Sequence, residues 1–181
     1  MARIVLAVRD GIVPGAGASG CDPAARGVAA VWVLEPVAVR VGGLRTRVQD
    51  FWGASDHLAR LSGPPWPGRA RLDLADGSQL QVVPIGTWRR KWLLWQGENE
   101  LAQGQASWPS RRAEIVHRAV PYFVLPTGRW GGRYRLINEA DVEVLTIAFR
   151  GPLRREAVLS PQVALDLALV VFAYDLARRL R

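Results

Sequence analysis

The sequence predicts an all-β fold with one C-terminal helix: a closed antiparallel β-barrel, built as a meander of hairpins, around a buried hydrophobic helix. Three observations predict it. From residue 69 onward, short runs of strand-forming residues alternate with turn residues at even intervals, the pattern of consecutive hairpins. The segment 160–181, wound as a helix, is apolar on nearly every side, and such a helix must be enclosed by protein or lipid. Hydrophobic residues make up 49% and charged residues 22% of 181 positions, the balance of a globular chain long enough to bury a core.

Composition also excludes several classes. Cys21 is the only cysteine, so no intrachain disulfide can form, which fits a reducing cytoplasm. The apolar run Ile4–Val8 ends at Arg9 and Asp10, short of the roughly 7–15 residues of a signal peptide. Ala18-Ser19-Gly20-Cys21 resembles a lipoprotein cleavage box without the apolar segment that must precede it. The longest apolar stretch, Val163–Leu176, is broken by Asp166 and Asp175 and is shorter than the about 20 residues of a membrane span. The expectation is a cytoplasmic protein, or one peripheral at a membrane surface, with no transmembrane span.

The elements follow in order within one domain, 1–181. Ile4–Val8 reads as a short strand. Residues 10–27, rich in Gly, Ala and Pro, read as a flexible loop. Val28–Leu34 and Val37–Val41 are β-rich runs split by Pro36. Leu44–Val48 alternates with period two, setting Leu44, Thr46 and Val48 against Arg45 and Arg47. The segment Ser62–Gly68 is a strong breaker. It is also a candidate boundary in an alternative architecture, a barrel or sandwich from residue 69 behind a small N-terminal β domain.

Across 69–159 a hairpin unit of about 21–22 residues recurs. Outgoing strands are expected at Arg69–Leu74, Lys91–Trp95, Arg112–His117 and Arg133–Ile137. Return strands are expected at Gln79–Pro84, Leu101–Ser107, Tyr122–Leu125 and Val142–Arg150, with a further strand at Glu156–Leu159. Trp92 and Trp95 fall on opposite faces of their strand, so at most one is core. The helix 160–181 is expected to start at Ser160 as cap and Pro161 as first residue. Arg178, Arg179 and Arg181 stand at its negative end. Asp166 and Asp175 lie about 180° apart on it. As buried charges they must pair with inward arginines or sit near the barrel mouths.

Hairpins followed by an all-round apolar helix resemble the Tubby-like β-barrel superfamily, which includes the Tubby C-terminal domain, the phospholipid scramblases and the LURP-one-related proteins. Gly132–Leu136, Val142–Arg150 and Pro161–Leu180 carry the resemblance, which covers mainly residues 69–181. It implies strands wrapped around one central helix. With early strands near Ile4, Val31, Val39 and Arg45, the count reaches about twelve, in line with that family. The chain lacks the cysteine cluster of scramblases, and no phosphoinositide-binding residue of Tubby can be placed on it.

In a meander, alternate connections lie at opposite ends. One set of turns holds Asp76, Glu98, Glu100, Glu139 and Asp141, with Arg118 as the exception. The other set holds Trp88, Arg89, Arg90, Trp108, Arg111, Arg112, Arg129, Trp130, Arg133, Arg154 and Arg155. The chain has 24 Lys+Arg against 16 Asp+Glu, a formal net charge of +8, and Lys91 is its only lysine. Arg offers a planar fork for phosphate, and Trp favours a boundary between apolar and wet surroundings. The basic rim therefore suits anionic lipid headgroups or a nucleic-acid backbone, as two alternatives, with a protein partner as a further one. The plainer reading is that these Trp cap the barrel end and these Arg keep it soluble.

Other motifs offer less. Gly15–Gly20 matches the spacing of a dinucleotide fingerprint, but Pro14, Pro23 and Gly27 deny it the flanking strand and helix. His57 and His117 lack neighbouring metal ligands, and His117, at a strand end, is expected to face solvent or cap a turn. Cys21 has no nucleophile context. With no acid–base pair, nucleophile set or metal cluster, the expectation is a non-enzymatic binding module without cofactor or metal.

Overall fold

The computed structural model describes residues 31–42, 47–63, 68–86, 91–107, 109–128, 132–150 and 156–180. Its strands are β1 (Trp32–Val33), β2 (Val37–Gly42), β3 (Arg47–Trp52), β4 (His57–Gly63), β5 (Ala70–Leu74), β6 (Gln79–Ile85) and β7 (Lys91–Gln96). The rest are β8 (Asn99–Ser107), β9 (Arg112–His117), β10 (Val120–Pro126), β11 (Arg133–Asn138), β12 (Glu143–Arg150), β13 (Glu156–Pro161) and β14 (Leu165–Asp166). One helix, α1 (Leu167–Arg179), follows. Strands β2 to β13 form a closed antiparallel barrel in chain order, sealed by β13 pairing with β2. The two-residue strands β1 and β14 form a separate ribbon.

Barrel and helix need each other. A barrel of about eight strands is filled by its own side chains, and a wider one is not. Here α1 fills the twelve-strand lumen. Every helix residue from Leu167 to Ala177 is buried. Phe172 and Leu176, one turn apart, lie against Gly104 of β8. Tyr174, on the reverse face, meets Phe51 of β3 edge-on at 5.4 Å and Phe149 of β12 at 5.7 Å. In the ring order β3 and β12 stand across the barrel from β8, so an all-round apolar helix is what the lumen requires. The inward faces alternate accordingly, as in Ala113, Ile115 and His117 of β9 or Leu145 and Ile147 of β12. Trp92 is fully buried and Trp95 is not.

The hairpins across 69–150 occur where the pattern places them, and the barrel strands number twelve. Several details differ. The helix begins at Leu167, capped by Asp166, whose side chain accepts from Ala168 N at 2.9 Å. Ser160 and Pro161 instead close β13, paired with Thr146 and Leu145. Sheet pairing there outweighs a good local capping signal. Strand β4 was not expected, and β3 runs on to Trp52. Its buried face carries Gln49 and Phe51, not Val48, because Phe51 packs on Tyr174. Within the run Val28–Leu34, the described residues from Val31 onward contribute β1, outside the barrel. Strand β4 pairs with β5, so the strands on either side of the Ser62–Gly68 breaker are neighbours in one sheet. The expected strand at Ile4–Val8 and loop 10–27 lie outside the described residues.

The buried aspartate Asp175 takes its partners from its own helix. It is fully buried, accepts from Arg178 Nη2 at 2.7 Å and from Arg179 Nε at 2.6 Å, and Arg179 lies 5.4 Å over the Trp92 ring. Arg178 and Arg179 are thus mostly buried ion-pair partners. Arg181 lies outside the described residues. No described helix is long and apolar enough to cross a membrane.

Candidate functional site

Twelve antiparallel strands in chain order send alternate connections to opposite ends of the barrel. The end where β7, β9, β11 and β13 begin carries exposed Lys91, Arg111, Arg112 and Arg133 against one exposed acid at a strand start, Glu156 of β13. Arg111 sits in the β8–β9 connection with φ of 52°. The remaining residues expected at this rim, Trp88, Arg89, Arg90, Trp108, Arg129, Trp130, Arg154 and Arg155, lie outside the described residues.

The opposite end carries exposed Asp56, Asp76, Glu98, Glu100, Glu139 and Asp141. Among the described turn residues there, Arg118 is the only cation. Each of these turns is short because the flanking strands pair to their last residues. In the 75–78 turn, Asp76 Oδ1 accepts from Ser78 N at 2.8 Å, and Gly77 takes φ of 84°. In the 139–142 turn, Asn138 Oδ1 accepts from Ala140 N and Val142 N at 3.1 and 3.0 Å. The β9–β10 turn differs: Arg118 and Ala119 both take left-handed backbone, with φ of 49° and 66°. A two-residue hairpin of this kind normally uses Asn-Gly. Replacing Ala119 with Gly is therefore expected to raise stability, by about 0.5–1 kcal/mol after the entropy glycine adds to the unfolded chain. Urea unfolding checks it, and an unchanged or lower midpoint would show the turn to be unstrained.

That strained turn forms the lip of a cleft of about 350 Å³ at the start of α1. Asp166 organises it. Its carboxylate caps the helix, accepts from His117 Nε2 at 3.1 Å and from Arg118 Nη2 at 3.2 Å. His117 is only 5% exposed and its Nδ1 has no hydrogen-bond partner. Tyr122 lines the same cleft, and its phenol is pushed up by burial and by the Asp166 charge. Trp32, 50% exposed on β1, and Val163 complete the apolar wall.

His117 thus corrects the expectation that it faces solvent. It continues the inward face of Ala113 and Ile115, and Asp166 holds it. That parity, together with Arg118 as the one cation in an acidic set, was the available signal for this site. The other histidine, His57, is half-buried on the barrel exterior. With Arg60 it grips Asp50, at 3.2 and 2.7 Å, and these partners outweigh burial to hold the Asp50 carboxyl below its ordinary value. Among the described residues no cluster of three or more His, Cys, Asp or Glu is placed to hold a metal ion.

No protein-family model matches the chain, and no curated protein matches it. Among solved structures, the X-ray structure of a protein from Arabidopsis thaliana is similar in fold. The two are 14% identical, the match covers 82% of this chain and 93% of that one, and the TM-score is 0.54. At that identity the likeness concerns the barrel fold alone.

Proposed function

We propose that this chain is a non-enzymatic binding module of the Tubby-like kind, which engages anionic phospholipid or another phosphorylated surface through the basic end of its barrel. The observation that carries the reading is the separation of charge along the barrel axis: Lys91, Arg111, Arg112 and Arg133 at one end, the acidic turns at the other. A chain of net charge +8 that is polarised this way presents one face to anions and turns the other away. The central C-terminal helix inside a twelve-strand barrel supports the Tubby-like assignment, and the resemblance to a superfamily containing phospholipid scramblases favours lipid over nucleic acid.

The test is co-sedimentation with phosphatidylserine-containing vesicles at low salt, beside phosphatidylcholine vesicles and a single-stranded oligonucleotide. Binding to the anionic vesicles alone is expected. Changing Arg111, Arg112, Arg154 and Arg155 together to Gln should weaken it by roughly a thousandfold, at about 1 kcal/mol per basic residue near an anionic surface. Unchanged binding in that variant discards the basic-end reading. Preference for the oligonucleotide, fading steeply with salt, transfers the rim to nucleic acid.

A further inference from the structure

We propose that the cleft at the acidic end binds a small organic ammonium ion carrying an apolar body. This site lies at the opposite end of the barrel from the basic rim and stands independently of the lipid reading. Its volume of about 350 Å³ is within the range of small-molecule sites, which combine apolar walls with a few convergent polar groups.

The polar groups select the charge of the ligand. Arg118, the one cation at the cleft, already has a counter-charge in Asp166 at 3.2 Å. Glu139, exposed at the cleft, has no ion-pair partner among the described residues, and Asp141 stands beside it in the same turn. His117 gives its Nε2 to Asp166, and its other ring nitrogen, Nδ1, is buried without a hydrogen-bond partner.

The walls select the body of the ligand. Trp32 is half exposed, Tyr122 is partly buried, and Val163 and Leu169 close the apolar side. An aromatic face beside a carboxylate is the chemistry that holds an ammonium group, through cation–π attraction and charge together. A neutral apolar molecule would use the walls and leave Glu139 unanswered.

Calorimetric titration of the full chain tests this with three probes that share a phenylethyl body: phenethylammonium, 2-phenylethanol and 3-phenylpropanoate. The ammonium ion is expected to bind tightest and the carboxylate not at all. Glu139→Gln should weaken the ammonium ion by about tenfold, the scale of a charged hydrogen bond. Trp32→Ala should weaken it by roughly fivefold. Both residues are exposed, so unchanged melting temperatures are expected and would separate loss of binding from loss of fold. Equal or better binding of the carboxylate overturns the proposal, as does absence of ammonium binding at millimolar concentration. Binding that neither variant moves places the ligand elsewhere and also overturns it.

Discussion

Replacing Asp175 with alanine is expected to remove about 3–5 kcal/mol of stability, enough to unfold a marginal domain. The carboxylate is fully buried and holds Arg178 at 2.7 Å and Arg179 at 2.6 Å. Those guanidiniums are 15% and 5% exposed, so alanine would strand two mostly buried cations from the carboxylate that faces them. The loss comes from that stranding more than from any net value of the ion pairs. A variant that replaces all three charges with Leu, Met and Leu should therefore recover much of the loss. Urea unfolding distinguishes the cases, and a loss below about 1 kcal/mol for Asp175→Ala would sink the argument. The pH dependence follows from the same triad. Burial alone would raise the Asp175 carboxyl, but the two guanidiniums outweigh it and hold the group below its ordinary value of 3.8. The folded protein thus binds this proton less readily than the unfolded chain. The stabilisation is complete above that ordinary value and is lost as pH falls toward the depressed folded one. The acid limb of the stability curve should flatten in the charge-free triple variant.

Legibility in the sequence followed the range of the forces involved. The hairpins from Ala70 to Arg150 were readable because strand alternation and turn residues are local signals. The helix was readable because a surface apolar all round admits few environments. Strand β4 escaped notice because its sequence, His57–Gly63, is built from Leu, Ala and Arg, residues that favour helices in isolation, and only its pairing with β3 and β5 makes it a strand. The helix start was misplaced for the related reason that Ser160 and Pro161 satisfy a local rule, while β12 claims them for the sheet. Asp166 looked like an anomaly inside the helix until the start moved to Leu167, where it becomes the cap.

The cleft was beyond such reading altogether. Arg118 and Glu139 share a place in successive hairpin units, but Trp32 and Asp166 are far from them in the chain, and no spacing joins all four. They meet because β1 pairs with β14 at the mouth, Trp32 against Asp166, while the pairing of β10 with β11 sets the β9–β10 and β11–β12 turns side by side. Periodicity can say that His117 shares a face with Ile115. Only the closed barrel says that Asp166 waits at the end of that face.

Gly104→Val should be the most damaging single change on the barrel wall, and the reason is the position of the helix. Strand β8 turns Ala102, Gly104 and Ala106 inward, the smallest residues available. A Cβ at position 104 would stand 2.6 Å from Leu176 Cδ1 and 3.0 Å from Phe172 Cζ. On backbone grounds alone, alanine in a strand should be better than glycine by roughly 0.5–1 kcal/mol. Overpacking a tight core costs about 1–3 kcal/mol, so the steric effect wins. Alanine already destabilises, and valine exceeds it. The helix cannot retreat, because Tyr174 is braced against Phe51 and Phe149 on the far wall. Removing the obstacle supplies the decisive comparison. Leu176→Ala alone should cost about 2–5 kcal/mol as a cavity, yet combined with Gly104→Val the new methyls occupy the space the leucine leaves. The double variant should be more stable than the sum of the two losses by roughly 1–3 kcal/mol. Strict additivity in urea unfolding would mean that the helix and β8 are not in contact in the way described, and the helix-filled barrel would need a different axis.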